Sequence, residues 1–302
     1  MGPKVTQIIP IPENPVSEML HALDLRRVKN SDAGEDVFVG PSQWMPHGRV
    51  FGGQVLAQSL VAASRTIEER PVHSMHGYFL RAGDIAEEIT FSVDRLRDGR
   101  SFSTRRVQAF QKGLPIFSMI ASFQTLDSGL EHQESFPIDI PDPESLPSAA
   151  QLMGDNPHPV AQYWAKARPF DLRHVPDAIY FNVKSIPTAH QAVWIKTLDE
   201  LPKNQNIHTA ALAYGSDYSI LEPIIRKHSV PWSHPGLKSA SLDHAMWFHR
   251  PAKVDDWMLY VQESPSAQGG RGLSIGKIFS RDGHLLATVA QEGMVRIPEM
   301  AN

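Results

Sequence analysis

GLSIG, residues 272–276 within SPSAQGGRGLSIGKIFSRDGHLL (264–286), is the stretch on which the fold turns. It fits G-x-S-x-G, the pattern that in many hydrolases seats a nucleophilic serine on a sharp strand-to-helix turn. Such an elbow needs a strand before it and a helix after it. Here SPSAQGGR, a loop, comes before. KIFSRDGHLLATVAQ comes after, and it reads as a strand end, a turn at Asp282-Gly283 and another strand. The acid and histidine of a triad would be Asp282 and His284, both on that adjacent turn. Ser274 therefore reads as an ordinary residue of a glycine-flanked strand, and GLSIG joins a run of β-structure.

That run has a twin. In the first part of the chain LDLRRVKN and EDVFVGPSQW suggest two strands, and RVFGGQVLAQSLVAASRTI (49–67) a helix with small residues on one side. Four strand-like segments follow: VHSMHGYFL, ITFSVDRL, SFSTRRVQAF and IFSMIASFQ. In the second part FDLRHV and QAVWIKTL precede a helix, HTAALAYGSDYSILEPII (208–225). SLDHAMWFH, WMLYVQES, GLSIGKIF and LLATVAQEGMV then read as strands. Each block is β-β-α-β-β-β-β. His76 and Gln124 stand 48 positions apart, His244 and Gln291 47, which suggests an old duplication with diverged hairpins. A long helix followed by four strands implies an antiparallel sheet curved around that helix, so the expected class is α+β with two such units packed side by side. The Pro-, Ser- and acid-rich stretch 126–169 reads as a surface connection, giving units 1–125 and 170–302.

Composition narrows the function. A net charge of −4 supplies no basic field for nucleic acid, and the absence of cysteine removes disulfides, thiolate metal sites and thiol nucleophiles. No apolar run is long enough to span a bilayer, the N-terminus MGPKVTQIIPIPENP lacks a secretory apolar region, and the ending PEMAN is not a peroxisomal address. A cytoplasmic protein without stable membrane insertion is expected. Walker, dinucleotide and H-E-x-x-H patterns are missing, so neither cofactor nor metal is expected. His73 and His76, an odd number of positions apart, are expected on opposite faces of their strand. Arg105 and Arg106, with Arg81 and Arg100 nearby, read as a solvated sheet face rather than a phosphate site.

Two polar residues stand in apolar settings, and a strand hydroxyl joins them as a candidate. Asp217 has Ala213, Tyr214, Ile220 and Leu221 at helical neighbour positions, so its carboxylate is expected to be partly desolvated and in need of donors. Gln291 is in phase with Leu285, Ala287 and Val289, and its amide needs partners. Ser241 is in phase with Asp243, Ala245 and Trp247. Each also has a purely structural reading: an acid at a helix edge, an amide bonded to backbone, a strand hydroxyl. Asp243 and His244 are rivals for a catalytic role, or a local polar network at a strand start.

RVFGGQVLAQSL, VHSMHGYFLRAGD, DGRSFSTRRVQAFQKGLPIFSMIASFQ, LDHAMWFHRP and ATVAQEGMVR together resemble the acyl-CoA thioesterase II family, of the TesB type, from about Arg49 to Arg296. The resemblance implies a double hotdog fold, matching the duplicated pattern. It also implies hydrolysis of fatty acyl-CoA by water activated by an Asp, a Ser or Thr, and a Gln. Those roles carry over to Asp217 in YGSDYSIL, Ser241 two positions before D-H-x-M-W-F-H-R-P, and Gln291 in VAQEG. A homodimer or homotetramer, with acyl-CoA as the small-molecule partner, is implied likewise. Gln124, the first-block match to Gln291, has no clear acid partner, so one site per chain is expected. Two other readings stay open: a serine hydrolase centred on Ser274, and a non-catalytic acyl-CoA binding module.

Overall fold

The computed structural model describes residues 9–29, 36–154 and 156–297; the sequence readings of the extreme termini lie at least partly outside them. Helix α1 (Pro15–Leu23) and strands β1 (Arg26–Val28) and β2 (Val37–Gly40) lead into α2 (Gly52–Ser64). Strands β3 (Val72–Phe79), β4 (Ile89–Asp98), β5 (Phe102–Gln111) and β6 (Leu114–Gln124) follow. A 3₁₀ turn at Pro143–Ser145 and helices α3 (Ala149–Met153) and α4 (Pro159–Lys166) connect to the second half. There β7 (Phe170–His174) and β8 (His190–Thr197) precede α5 (Gln205–Ser216) and α6 (Glu222–Lys227). Strands β9 (Lys238–Ser241), β10 (Asp243–Phe248), β11 (Met258–Gln268), β12 (Arg271–Ser280) and β13 (Leu285–Arg296) close the chain. The β-β-α-β-β-β-β order holds in both halves, with α1, the linker helices and α6 added and β9 split from β10.

The two sheets, each with its central helix, are joined edge to edge. β3 pairs with β10, Met75 opposite Met246, so the strands run β1-β2-β4-β5-β6-β3-β10-β13-β12-β11-β8-β7 in one antiparallel sheet, with β9 added on β13. α2 is buried on every side from Gly53 to Ala63, as its mostly apolar and small residues require of a helix inside a core, and its two buried amides, Gln54 and Gln58, bond to each other and to the Pro41 carbonyl. One hydrophobic core runs through both halves and includes Leu56 and Leu60 of α2 with Leu212 and Tyr214 of α5.

The second helix is shorter than its sequence pattern suggests. It ends at Ser216, and α6 starts only at Glu222, so the expected helix over 208–225 is two helices. Gly215 and Ser216 are weak helix formers, and Ser216 Oγ lies 2.9 Å from the Ala213 carbonyl, where its hydroxyl competes with the helical N–H groups. Pro223 then sits in the first turn of α6, where its missing N–H costs nothing. Asp217 is the C-cap of α5 rather than a mid-helix residue.

The linker does more than connect. The Trp194 indole donates to the Pro141 carbonyl, Phe136 packs edge-on against Phe279, and Arg281 pairs with both Asp142 and Glu144. It thereby covers an apolar outer patch of Ala192, Trp194, Trp257 and Leu259.

The two central helices approach closely at Gly53, where a Cβ would lie 2.3 Å from the Tyr214 carbonyl oxygen. Gly53→Ala is expected to force the helices apart and cost about 1–3 kcal/mol, the usual penalty of overpacking, read as a lowered midpoint in urea unfolding.

Candidate active site

Three chain segments bring the candidate residues together. The turn after α5 supplies Asp217, the end of β9 supplies Ser241, and the middle of β13 supplies Gln291. The Ser241 hydroxyl donates to Asp217 Oδ1 at 3.2 Å. Gln291 Nε2 donates to the same oxygen at 3.0 Å and to Ser241 Oγ at 2.9 Å. Gln291 is fully buried, while Asp217 and Ser241 are partly buried.

Ser241 reaches this cluster through a β-bulge. It lies opposite Gly293, whereas Ala245 lies opposite Ala290, so four steps on one side match three on the other. The extra residue reverses the alternation. Ser241 shares the inner face with Gln291 and Gly293, and Asp243, Ala245 and Trp247 face outward. The phase expected from the sequence fails here, and the failure is what aims the hydroxyl at Asp217.

His244 faces the same inner side, in phase with Met246 along β10, so the bulge brings Ser241 round to its face. The histidine is fully buried: Nδ1 hydrogen-bonds Gln291 Oε1, and Nε2 lies 3.0 Å from Ser216 Oγ. Burial pushes its pKa down to about 4, so the ring is neutral near pH 7. Asp243, the other rival, accepts from the Glu292 amide at 2.8 Å on the outer side.

The pKa of Asp217 is raised to about 6. Burial is the main cause, opposed by the bonds from Gln291 and Ser241 and by the backbone N–H of Gly53. That amide belongs to the first turn of α2, whose N-cap Phe51 offers no side-chain cap. The first half of the chain thus contributes to a site whose three side chains all come from the second. Nothing in the sequence pattern around Gly53 announces this; it follows from how closely α2 and α5 pack.

The remaining sequence candidates are elsewhere. Ser274 is buried in mid-β12, opposite Gln291 across the ladder, with its hydroxyl unpartnered and no helix following. Asp282 and His284 are exposed on the next turn. His73 and His76 share the outer face, because a bulge between Val72 and Ser74 shifts the strand. His73 bonds Ser122 Oγ and His76 packs on Trp247. Arg105 is buried, held by Thr66 and Asp98, which corrects its reading as a solvated residue; exposed Arg106 pairs with Asp94.

The register also corrects the internal match. Met75 and Met246 face each other at the seam, and their partners away from it are Ala121 and Val289. Two residues farther on stand Phe123 and Gln291, so Phe123, not Gln124, occupies the equivalent place. The C-cap of α2 is Arg65 where α5 has Asp217. The first half therefore has neither acid nor amide at these positions.

Comparison with known proteins agrees with this architecture. A family model described as Acyl-CoA thioesterase matches residues 170–294, and one described as Acyl-CoA thioesterase N-terminal domain matches residues 40–124. Acyl-CoA thioesterase 2 of Haemophilus influenzae is 38% identical over 292 residues, spanning 94% of this chain and 99% of its own length. Human acyl-coenzyme A thioesterase 8 is 38% identical over 276 residues, 87% of this chain and 85% of its own. The crystal structure of an acyl-CoA thioesterase II, TesB2, from Mycobacterium marinum superposes with a TM-score of 0.76 at 40% identity, covering 94% of this chain and 99% of that one. A hot dog fold protein from Alicyclobacillus acidocaldarius, 20% identical, gives 0.75 over 93% of this chain and 98% of its own. The molecule is a thioester hydrolase of the double hotdog class. It belongs to the acyl-CoA thioesterase II family, of the TesB type.

A Cβ on Gly52 would sit 2.6 Å from Asp217 Oδ2 and 3.1 Å from the Phe79 ring. Gly52→Ala is expected to displace the carboxylate and lower kcat by about 10²-fold, a typical consequence of a misplacement near 1 Å. Steady-state kinetics beside a thermal melt would separate this from unfolding.

Proposed function

We propose that the chain hydrolyses fatty acyl-CoA to free fatty acid and CoA, with Asp217 as general base and Ser241 and Gln291 holding the attacking water. The observation that carries this is the convergence of two polar groups, Ser241 Oγ and Gln291 Nε2, on one oxygen of the base, Asp217 Oδ1. Oδ2 is then the atom that receives the water's proton. A pKa of about 6 suits a general base, because the group is ionised at neutral pH yet basic enough to take a proton in the transition state.

The thioester itself demands little more. Its carbonyl is weakly resonance-stabilised, and the departing thiol has an ordinary pKa near 8.5, so expulsion needs little proton donation. What remains is to stabilise the oxyanion, and the uncapped first turn of α2 offers amide N–H groups for this. The reaction as proposed passes through no covalent intermediate. The buried, strand-bound position of Ser274 disfavours the serine-hydrolase reading. A cytoplasmic homodimer or homotetramer is part of the same proposal, supported by exposed Tyr78, Ile120 and Trp247 on the outer face around the seam.

Release of CoA, followed with a thiol reagent, tests the reading. Asp217→Asn is expected to lose about 10²–10⁴ in rate, the span of a positioned base, while Ser274→Ala keeps wild-type turnover. Full activity in Asp217→Asn, or trapping of an acyl group on Ser274, contradicts it. The pH profile follows from the raised pKa: kcat/KM is flat above about 6 and falls as Asp217 takes up a proton below it.

A further inference from the structure

The Gln291 amide faces a choice that the water mechanism cannot leave open. Its two ends are nearly identical in shape. One end meets Asp217 and Ser241, the other meets His244 Nδ1. Two arrangements are self-consistent. In the first, the NH₂ group points to Asp217 and Ser241, and the carbonyl oxygen faces His244. His244 then carries its proton on Nδ1, and its bare Nε2 accepts at 3.0 Å from the Ser216 hydroxyl, whose single hydrogen is turned toward it and away from the Ala213 carbonyl 2.9 Å off. In the second, the amide is flipped, the His244 proton sits on Nε2 and points at Ser216 Oγ, the Ser216 hydroxyl donates to the Ala213 carbonyl at 2.9 Å, and the amide oxygen confronts the carboxylate of Asp217.

We propose that His244 is a positioning residue whose Nδ1–H tautomer, supported by Ser216, locks the Gln291 amide with its NH₂ group toward Asp217 and Ser241. The inference rests on the Asp217, Ser241 and Gln291 reading above. An ionised carboxylate needs donors, so only the first arrangement is compatible with Asp217 as base. His244 and Gln291 are both fully buried, which removes water as a competing partner. Ser216 is placed to serve: it is the last residue of α5, its carbonyl accepts from the Tyr260 hydroxyl at 3.1 Å, and its own Oγ touches Met246 Sδ at 3.4 Å. Among the described residues no lysine, arginine or second carboxylate bonds to His244 or Gln291, so the competitor for a proton along this chain is the Ala213 carbonyl at the Ser216 end, and the charge on Asp217 at the other end decides the order. Ser216, His244 and Gln291 form one line of donors, each giving a hydrogen to the next, and the line ends on the Asp217 carboxylate.

Two substitutions of His244 separate positioning from packing. Asn carries an N–H where histidine has Nδ1; Gln carries one where histidine has Nε2. His244→Asn keeps the donor to Gln291 although it removes more volume, and is expected to retain kcat within about tenfold. His244→Gln keeps the reach toward Ser216 but loses that donor, and is expected to fall by about 10²-fold with KM little changed. In a Gln291→Ala background the gap between the two closes. A purely structural role predicts the opposite order, with activity following the melting temperature and the smaller Asn faring worse. Equal losses, or that opposite order, overturn the proposal. Imidazole ¹⁵N NMR of the wild type reads the tautomer directly: Nδ1–H is expected, and Nε2–H or an imidazolium at pH 7 overturns it whatever the variants do. Asp217→Asn run alongside tells the two levels apart. Its inactivity with a harmless His244→Gln sinks only the positioning role, whereas its full activity sinks the mechanism beneath.

Discussion

The site depends on one carboxylate held between two helix ends. Asp217 closes the C-terminus of α5, where a negative charge gains nothing from the helix it belongs to, and it lies against the first turn of α2, where it does. That contact exists only because Gly52 and Gly53 let the helices approach to a separation that any side chain would obstruct. The continuous sheet, the seam between β3 and β10, and the bulge that turns Ser241 inward all serve to bring donors to this acid.

Holding it there has a thermodynamic consequence. The folded state binds the Asp217 proton more tightly than the unfolded chain, with a pKa of about 6 against 3.8. Stability is therefore lost as pH rises between those values, on the order of 3 kcal/mol in all. His244 works in the other direction. Its folded pKa of about 4 lies below the ordinary 6.5, so stability is lost as pH falls through that interval. The two effects oppose one another across much the same range. Near neutral pH the protein keeps a neutral histidine at little cost and bears the burial of a reactive carboxylate, as expected where a site is built for chemistry rather than stability.

Much of this could be read from the chain. The duplicated strand and helix pattern, the rejection of GLSIG as an elbow, and the apolar settings of Asp217 and Gln291 follow from periodicity and turn chemistry, whereas Ser241 is reached through the family resemblance. What periodicity cannot register is a one-residue bulge, which exchanges the faces of a strand without altering its composition. Two of the misreadings, the phase of Ser241 and the faces of His73 and His76, come from that cause. The match of Gln124 to Gln291 failed because spacing along the chain absorbs hairpin changes that register does not; pairing across the seam puts Phe123 there. The role of Gly53 was illegible for another reason, since it lies in a contact between helices more than 150 positions apart.

The central claim is that Asp217 is a desolvated carboxylate that stays ionised only because specific donors surround it. Carbon-13 NMR of aspartate-labelled protein, titrated without substrate, tests this most directly. The account predicts a carboxyl resonance with its midpoint near pH 6 that disappears in Asp217→Asn. If the resonance assigned to Asp217 instead titrates in the ordinary range around pH 4, the carboxylate is solvated and the account is wrong.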